Sequence, residues 1–276
     1  MRRVAVILAD GLRPDAVRAA PMPSLEALGR DYARAVNVRT VRPSVTVAAL
    51  ASLATGVGPG THGLIEPGLG FLGRLSGLRP LPRELGKHGL GTSVVTGALA
   101  RGAVPVTAAL TAFAGIGRLL TLGRSARETA VAARELFERL SAGLALLYLP
   151  DCDRAGHASG WMSEEYLRAA AEVDTAIGLF ASGLGDATLL VVSDHGGGGV
   201  DPRDHDLPHP VNDAIPLVIA GRGVRRHRLL ADPLSLLDVP ATILWRLGVP
   251  VPGVYEGRPL REAFLHESLT ASGAAA

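Results

Sequence analysis

The chain has 276 residues, of which 47% are hydrophobic and 20% charged, so it can bury a large core, and disordered or fibrous classes are excluded. Lys and Arg number 28 against 26 Asp and Glu; a formal net charge of +2 gives no reason to expect nucleic acid as a specific partner, or an anionic membrane. One cysteine, Cys152, rules out an intramolecular disulfide and any thiolate metal cluster, and it fits a reducing compartment.

Met1-Arg2-Arg3 followed by Val4 to Leu8 starts like a secretory leader, but the apolar run stops at Asp10 and no small-residue cleavage site follows. It reads instead as a strand buried on both faces. Two longer stretches lack Asp, Glu, Lys and Arg: Pro43 to Ile65 and Gly102 to Gly117. The first is interrupted by prolines, glycines, hydroxyls and His62, and the second is too short for the roughly 20 apolar residues of a spanning helix. A soluble, cytoplasmic protein with no membrane partner is expected.

Further along, a helical stretch at Leu81 to His88 precedes a strand at Thr92 to Val95. The amphipathic segment Ala126 to Leu140 precedes a strand at Leu144 to Leu149, and the helical pattern Glu164 to Phe180 precedes one at Leu189 to Val192. Ile215 to Ala220 makes another strand, and Asp238 to Leu247 a last helix, with Pro240 in its first turn and Gly248 closing it. Strands and helices in this alternation predict βαβ units: an α/β protein of three layers, αβα, around a mostly parallel sheet. We expect one domain over residues 1–276, with a small insertion at about 97–125, where no clean period appears, and a frayed tail at Ser268 to Ala276.

Functional groups in such sheets gather at the carboxyl ends of the strands, and three of these strands end in acid. Asp10 follows the first, Asp151 and Asp153 follow Leu144 to Leu149, and Asp194 with His195 follows Leu189 to Val192. That much negative charge at one sheet edge calls for cations. Histidines fall in the same places: His157 lies four residues after Asp153, and His205 and His209 follow in a Gly- and Pro-rich loop. Mixed carboxylate and imidazole donors suit Zn²⁺ or Mn²⁺, and a two-metal hydrolytic site is the natural reading. Ser44, Thr46 and Thr55 are candidates for the attacking group. Cys152, between two aspartates, is assigned no role, and Asp151 reads as a capping or supporting acid. The basic run Arg222, Arg225, Arg226, His227 and Arg228 reads as a solvated loop.

Several blocks resemble the alkaline phosphatase superfamily, and within it the type I phosphodiesterase and nucleotide pyrophosphatase branch. They are VILADGLRPD (6–15), PSVTVAALASLATGVGPGTHGL (43–64), YLPDCDRAGHASG (148–160), VVSDHGGGG (191–199), IPLVIAGRGV from Ile215, and DVPATILWRLGVPVPGVYEGRPL from Asp238. The resemblance implies an alkaline phosphatase-like fold with a minimal cap and two bound divalent ions, Zn²⁺ first and Mn²⁺ second. Asp10, Thr46, Asp194 and His195 would hold one ion; Asp153, His157 and His205 would hold the other. Thr46 would be the nucleophile, since the family's nucleophile lies nine residues before the threonine of a Thr-Gly pair, here Thr55-Gly56. His205 is preferred to His209 because the family's late histidine precedes an Ile-Pro pair, here Ile215-Pro216, by about ten positions. The substrate would be a small phosphoester, hydrolysed through a phosphothreonine intermediate, with His209 and Arg154 as candidate substrate contacts.

One position departs from the pattern. Nucleotide pyrophosphatases commonly carry an asparagine three residues after the nucleophile, and this chain has Ala49. Phosphomonoesterase or another phosphoryl-transfer activity, and a catalytically silent binding protein, are the alternative readings. Sulfatase is disfavoured, because no Cys-x-Pro/Ala-x-Arg block is present.

Overall fold

Apolar residues at every position of β1 (Arg3–Ala9) after its first serve two cores at once. Val4, Val6 and Leu8 point into a layer shared with the helices Thr46–Thr55, Leu81–Lys87 and Asp238–Leu247. Ala5, Ile7 and Ala9 point into the opposite layer, shared with the helices Pro23–Asp31, Ala126–Glu138 and Glu164–Ala181. A strand of this kind is stable only in the middle of a sheet covered on both sides. The computed structural model describes residues 3–65, 77–97, 111–122 and 125–265.

The remaining described strands are β2 (Ala33–Arg39), β3 (Gly91–Thr96), β4 (Arg118–Thr121), β5 (Gly143–Leu149), β6 (Thr188–Val192), β7 (Ala214–Gly221), β8 (Arg228–Leu230) and β9 (Leu234–Ser235). Their order is β4-β3-β5-β1-β6-β7-β2-β8, with β9 beside β2. β1 pairs in parallel with β5 and β6, whereas β7 runs antiparallel to both β6 and β2. The sheet is therefore mostly parallel with helices on both faces, as expected.

Local chemistry sets the helix ends. Ser125 and Glu128 form a capping box before Ala126–Glu138, and Ser163 accepts the Tyr166 amide at the start of Glu164–Ala181. Gly56 and Gly248 close the helices before them in left-handed conformation.

Four strands differ from the sequence expectation. β2 was not anticipated because it is half exposed, carries Arg34, Asn37 and Arg39, and changes register between Ala35 and Val38, which breaks its alternation. β8 and β9 are too short to leave a pattern. β4 falls inside the stretch expected to be an irregular insertion; the rest of that stretch lies largely outside the described residues, as does the Ser268–Ala276 tail. Among the described residues no helix is long and apolar enough to cross a membrane.

Candidate metal centre at the strand ends

The parallel register brings the ends of three strands level. Ala9 pairs with Leu149 of β5, and Leu8 with Val192 of β6, so Asp10, the first turn of the helix Asp151–Ser159 with Asp153, and Asp194 leave the sheet side by side. The Asp10 amide donates to the Leu149 carbonyl at 3.0 Å, and the Asp153 amide to the Asp10 carbonyl at 3.0 Å. This approach requires Gly11: its φ is +69°, and a Cβ there would stand 2.9 Å from Asp153 Cα. The Gly11 carbonyl accepts from Trp161 Nε1 at 2.9 Å and from the Tyr166 hydroxyl at 2.8 Å, which fixes the turn.

Three histidines from three segments meet at this edge, each tied in the same way. Nδ1 of His157 bonds the Arg203 carbonyl at 2.8 Å, Nδ1 of His195 the Gly196 carbonyl at 2.7 Å, and Nδ1 of His205 the Ser44 carbonyl at 2.8 Å. A carbonyl only accepts, so each Nδ1 carries the proton and each Nε2 is turned inward. The three Nε2 atoms lie 3.4, 4.0 and 3.6 Å from one atom, Asp153 Oδ1. His195 Nε2 is also 3.3 Å from Asp10 Oδ1 and 3.7 Å from Asp194 Oδ2. The hydroxyl of Thr46, at the start of the helix Thr46–Thr55, stands 3.0 Å from that same nitrogen.

The donor set fits divalent cations. Asp10 Oδ1, Asp153 Oδ1 and Asp194 Oδ2 are buried with no hydrogen-bond partner, a costly arrangement for acceptors unless something electropositive faces them. Two groups of close donors emerge: Asp10, Asp194 and His195, and Asp153, His195 and His205. Nitrogen and oxygen donors together suit zinc or manganese better than calcium. The second oxygens are already engaged. Asp10 Oδ2 accepts from the Tyr148 hydroxyl, and Asp194 Oδ1 accepts from the amides of Gly11 at 3.2 Å and His195 at 3.0 Å.

The electrostatics agree with that arrangement. Burial raises Asp194 well above the ordinary carboxylate range, and the neighbouring charge of Asp10 adds to the rise. For Asp10 burial acts the same way, but the nearby charge of His195 and the Tyr148 hydroxyl outweigh it and hold its carboxyl low. His157 is lifted to about 9, first by its contact with Asp153. Burial opposes a proton on His195, yet the carboxylates of Asp194, Asp10 and Asp153 lift it to about 10. Burial lowers His205, and the charge of His195 lowers it further.

The structure thus brings together Asp10, Thr46, Asp153, His157, Asp194, His195 and His205. His209 does not reach the cluster; its Nδ1 accepts from the Val211 amide, capping the short helix that follows. Arg154 pairs with Asp151 at 2.9 Å on the surface. Burial, ahead of the neighbouring aspartates, keeps the Cys152 thiol protonated. Ala49 is fully buried in the helix-facing core, so no side chain at that position points into the cleft. Residue-by-residue reading missed the supports: Tyr148, Trp161, Tyr166, and Ser193, whose hydroxyl donates to the His195 carbonyl at 2.7 Å. The available signal was that aromatic residues are only 4% of the chain and three of them flank the acidic turns.

The family model described as type I phosphodiesterase / nucleotide pyrophosphatase matches residues 4–69 and 108–231, more than half of the chain. The chain belongs to that family. Phosphoester hydrolysis is the activity class of this family. Solved structures of the alkaline phosphatase superfamily share the fold. A superfamily protein from Vibrio parahaemolyticus is 20% identical with TM-score 0.74, covering 94% of this chain and 69% of its own. Murine ectonucleotide pyrophosphatase/phosphodiesterase 5, solved as an inactive threonine-to-alanine variant with AMP, is 13% identical with TM-score 0.74, covering 96% and 100%. Phosphonate monoester hydrolase from Silicibacter pomeroyi is 18% identical with TM-score 0.70, covering 95% and 76%. No curated protein sequence matches the chain.

Proposed function

We propose that this family member is a phosphodiesterase that works with two divalent cations, zinc before manganese, through a phosphothreonine at Thr46. The observation that carries the reading is the meeting of three inward-turned Nε2 atoms and three unpartnered carboxylate oxygens at one sheet edge, with the Thr46 hydroxyl 3.0 Å from one of those nitrogens. Asp10, Asp194, His195 and Thr46 would hold one cation, and Asp153, His157 and His205 the other. When bound, the cations supply positive charge that lowers the hydroxyl pKa and offsets charge on the phosphoryl oxygens.

The chain's own residues do the rest. The helix that begins at Thr46 holds the hydroxyl at the edge of the cluster, and its first-turn amides are free donors for phosphoryl oxygens. Thr46 Oγ1 loses its proton and bonds to phosphorus while the ester bond to the leaving alcohol breaks. Water then cleaves the phosphothreonine, releasing the phosphomonoester and restoring the hydroxyl. The relative solved in inactive form lacks a threonine, which supports this role for Thr46.

Purified protein is to be assayed with bis-p-nitrophenyl and mono-p-nitrophenyl phosphate, with and without chelator. We expect the diester to be the better substrate, chelation to abolish turnover, and Thr46→Ala to lower kcat by about a thousandfold or more. Equal turnover by Thr46→Ala and the parent would overturn the mechanism, and a preference for the monoester would move the protein to the phosphomonoesterase reading.

A further inference from the structure

The helix Pro23–Asp31 packs against β7 through Gly29, where an added Cβ would meet Val218 Cγ2 at 3.4 Å. Where the helix Pro23–Asp31 leaves β7 and passes beside β2, a groove of about 750 Å³ opens toward β8. Its floor and rim are apolar at Leu25, Val36, Val218 and Leu229, with Val36 59% and Leu229 45% exposed.

Arginines from separate segments reach this groove: Arg18, Arg30 and Arg34. Arg30 has an acidic partner, Asp31; Arg18 and Arg34 form no ion pair with any described residue. Glu26 is the one acid in the lining. The basic run that looked like a solvated loop divides here. Arg222 pairs with Asp186 and Arg226 lies 4.2 Å over the Tyr32 ring, whereas Arg228, in register with Ala33, turns to the other face of the sheet. The lip is held in place, since His227 adopts a φ of 51° and its Nδ1 bonds the Arg30 carbonyl at 2.9 Å.

We infer that this groove is a binding site for a small amphipathic anion, with a phosphate or carboxylate head on the unpaired guanidinium groups and an aliphatic body along the apolar floor. Guanidinium forks match such heads bidentately. The volume lies in the range of small-ligand sites. No Phe, Tyr or Trp lines the groove, so it has no platform for stacking nucleic-acid bases. This site is separate from the strand-end cluster, and its test does not depend on the mechanism proposed above.

Dodecyl phosphate below its micelle concentration serves as the probe, with inorganic phosphate and phosphatidylglycerol vesicles as the other arms, and calorimetry and vesicle sedimentation as readouts. We expect saturable one-site binding of dodecyl phosphate and much weaker binding of inorganic phosphate. The double variant Arg18→Glu/Arg34→Glu should bind about tenfold or more weakly, with bis-p-nitrophenyl phosphate turnover unchanged. Val36→Glu, at an exposed position that tolerates a polar residue, should weaken binding in the same direction. Undiminished binding in both variants would overturn the site. Sedimentation with vesicles without binding of the monomeric probe would overturn it too, in favour of a membrane contact.

Discussion

His62 and His195 are both fully buried, yet their surroundings differ. His62, at the end of the short helix Pro59–His62, has both ring nitrogens satisfied: Nδ1 accepts the Leu64 amide at 2.9 Å, and Nε2 bonds Ser52 Oγ at 2.9 Å. Burial pushes its pKa down, so it is a neutral strut. His195, like His157 and His205, spends Nδ1 on a carbonyl and turns Nε2 toward carboxylate oxygens that nothing else satisfies. Burial therefore does not separate a structural histidine from a ligand; the partner left over for the second nitrogen does.

Removing a carboxylate from the cluster should break this contrast most visibly. Asp194→Asn keeps the acceptor for the Gly11 and His195 amides but removes the negative charge. We expect kcat to fall by about a thousandfold and metal content to drop. Stability of the metal-free protein should change by less than about 1 kcal/mol, because Asn keeps the acceptor for both amides and relieves a buried carboxylate that burial and Asp10 disfavour. Thermal melting with and without chelator, beside elemental analysis, checks both. A large loss of metal-free stability would mean that Asp194 is a structural acid.

Metal uptake should come next in size. In the metal-free protein His195 titrates at about 10 and His157 at about 9, above the ordinary histidine value of about 6.5. A folded-state pKa above the unfolded one stabilises below the unfolded value and is lost as pH rises through the folded value. Metal-free stability should therefore decline from about pH 6.5 toward pH 10, while zinc affinity rises over the same window, because the metal must displace those protons. Saturating metal at about a thousand times its Kd should add about 4 kcal/mol, and calorimetry in buffers of different ionisation enthalpy should record proton release. Metal binding without proton release would show that His195 and His157 are already neutral in the metal-free protein. The strut behaves oppositely: His62→Ala strands the Ser52 hydroxyl and the Leu64 amide, costing about 2–3 kcal/mol with metal stoichiometry unchanged, which denaturant unfolding beside elemental analysis measures.

The same distinction explains what was legible in the sequence. β1, β5 and β6 are runs of apolar residues, buried on both faces or nearly so, and they end in acids, so strand and strand-end chemistry appear together in the residue order. β2 and β8 lie at the far side of the sheet, where exposed positions accept any polar residue and no pattern is imposed. The strand-end acids were visible in the residues themselves, whereas His205 was preferred to His209 only through the family spacing, because the two share a loop whose path is set by Asn212. Its Nδ2 donates to the carbonyls of His205 at 3.1 Å and Leu207 at 2.8 Å. Likewise Tyr148 and Tyr166 act on Asp10 and Gly11 across more than a hundred residues of chain, a relation that exists only once the sheet is assembled.

Tyr148 offers the finest test of the comparison. Its hydroxyl donates to Asp10 Oδ2, which leaves Oδ1 aimed at His195 Nε2. Burial, with Asp10 beside it, raises the phenol pKa, so Tyr148 stays a donor at every working pH. Tyr148→Phe retains the ring and removes only this bond. If Asp10 is a ligand held in aim by its supporting hydroxyl, the variant should lose about tenfold in metal affinity, at the low end for such supports, while stability of the metal-free protein falls by about 1 kcal/mol or less. Excess metal should then restore kcat to within a few-fold of the parent, since the substitution weakens aim and leaves the donor atoms in place. A variant that binds metal as tightly as the parent, or whose lost activity no metal concentration restores, would show that Asp10 needs no such aiming.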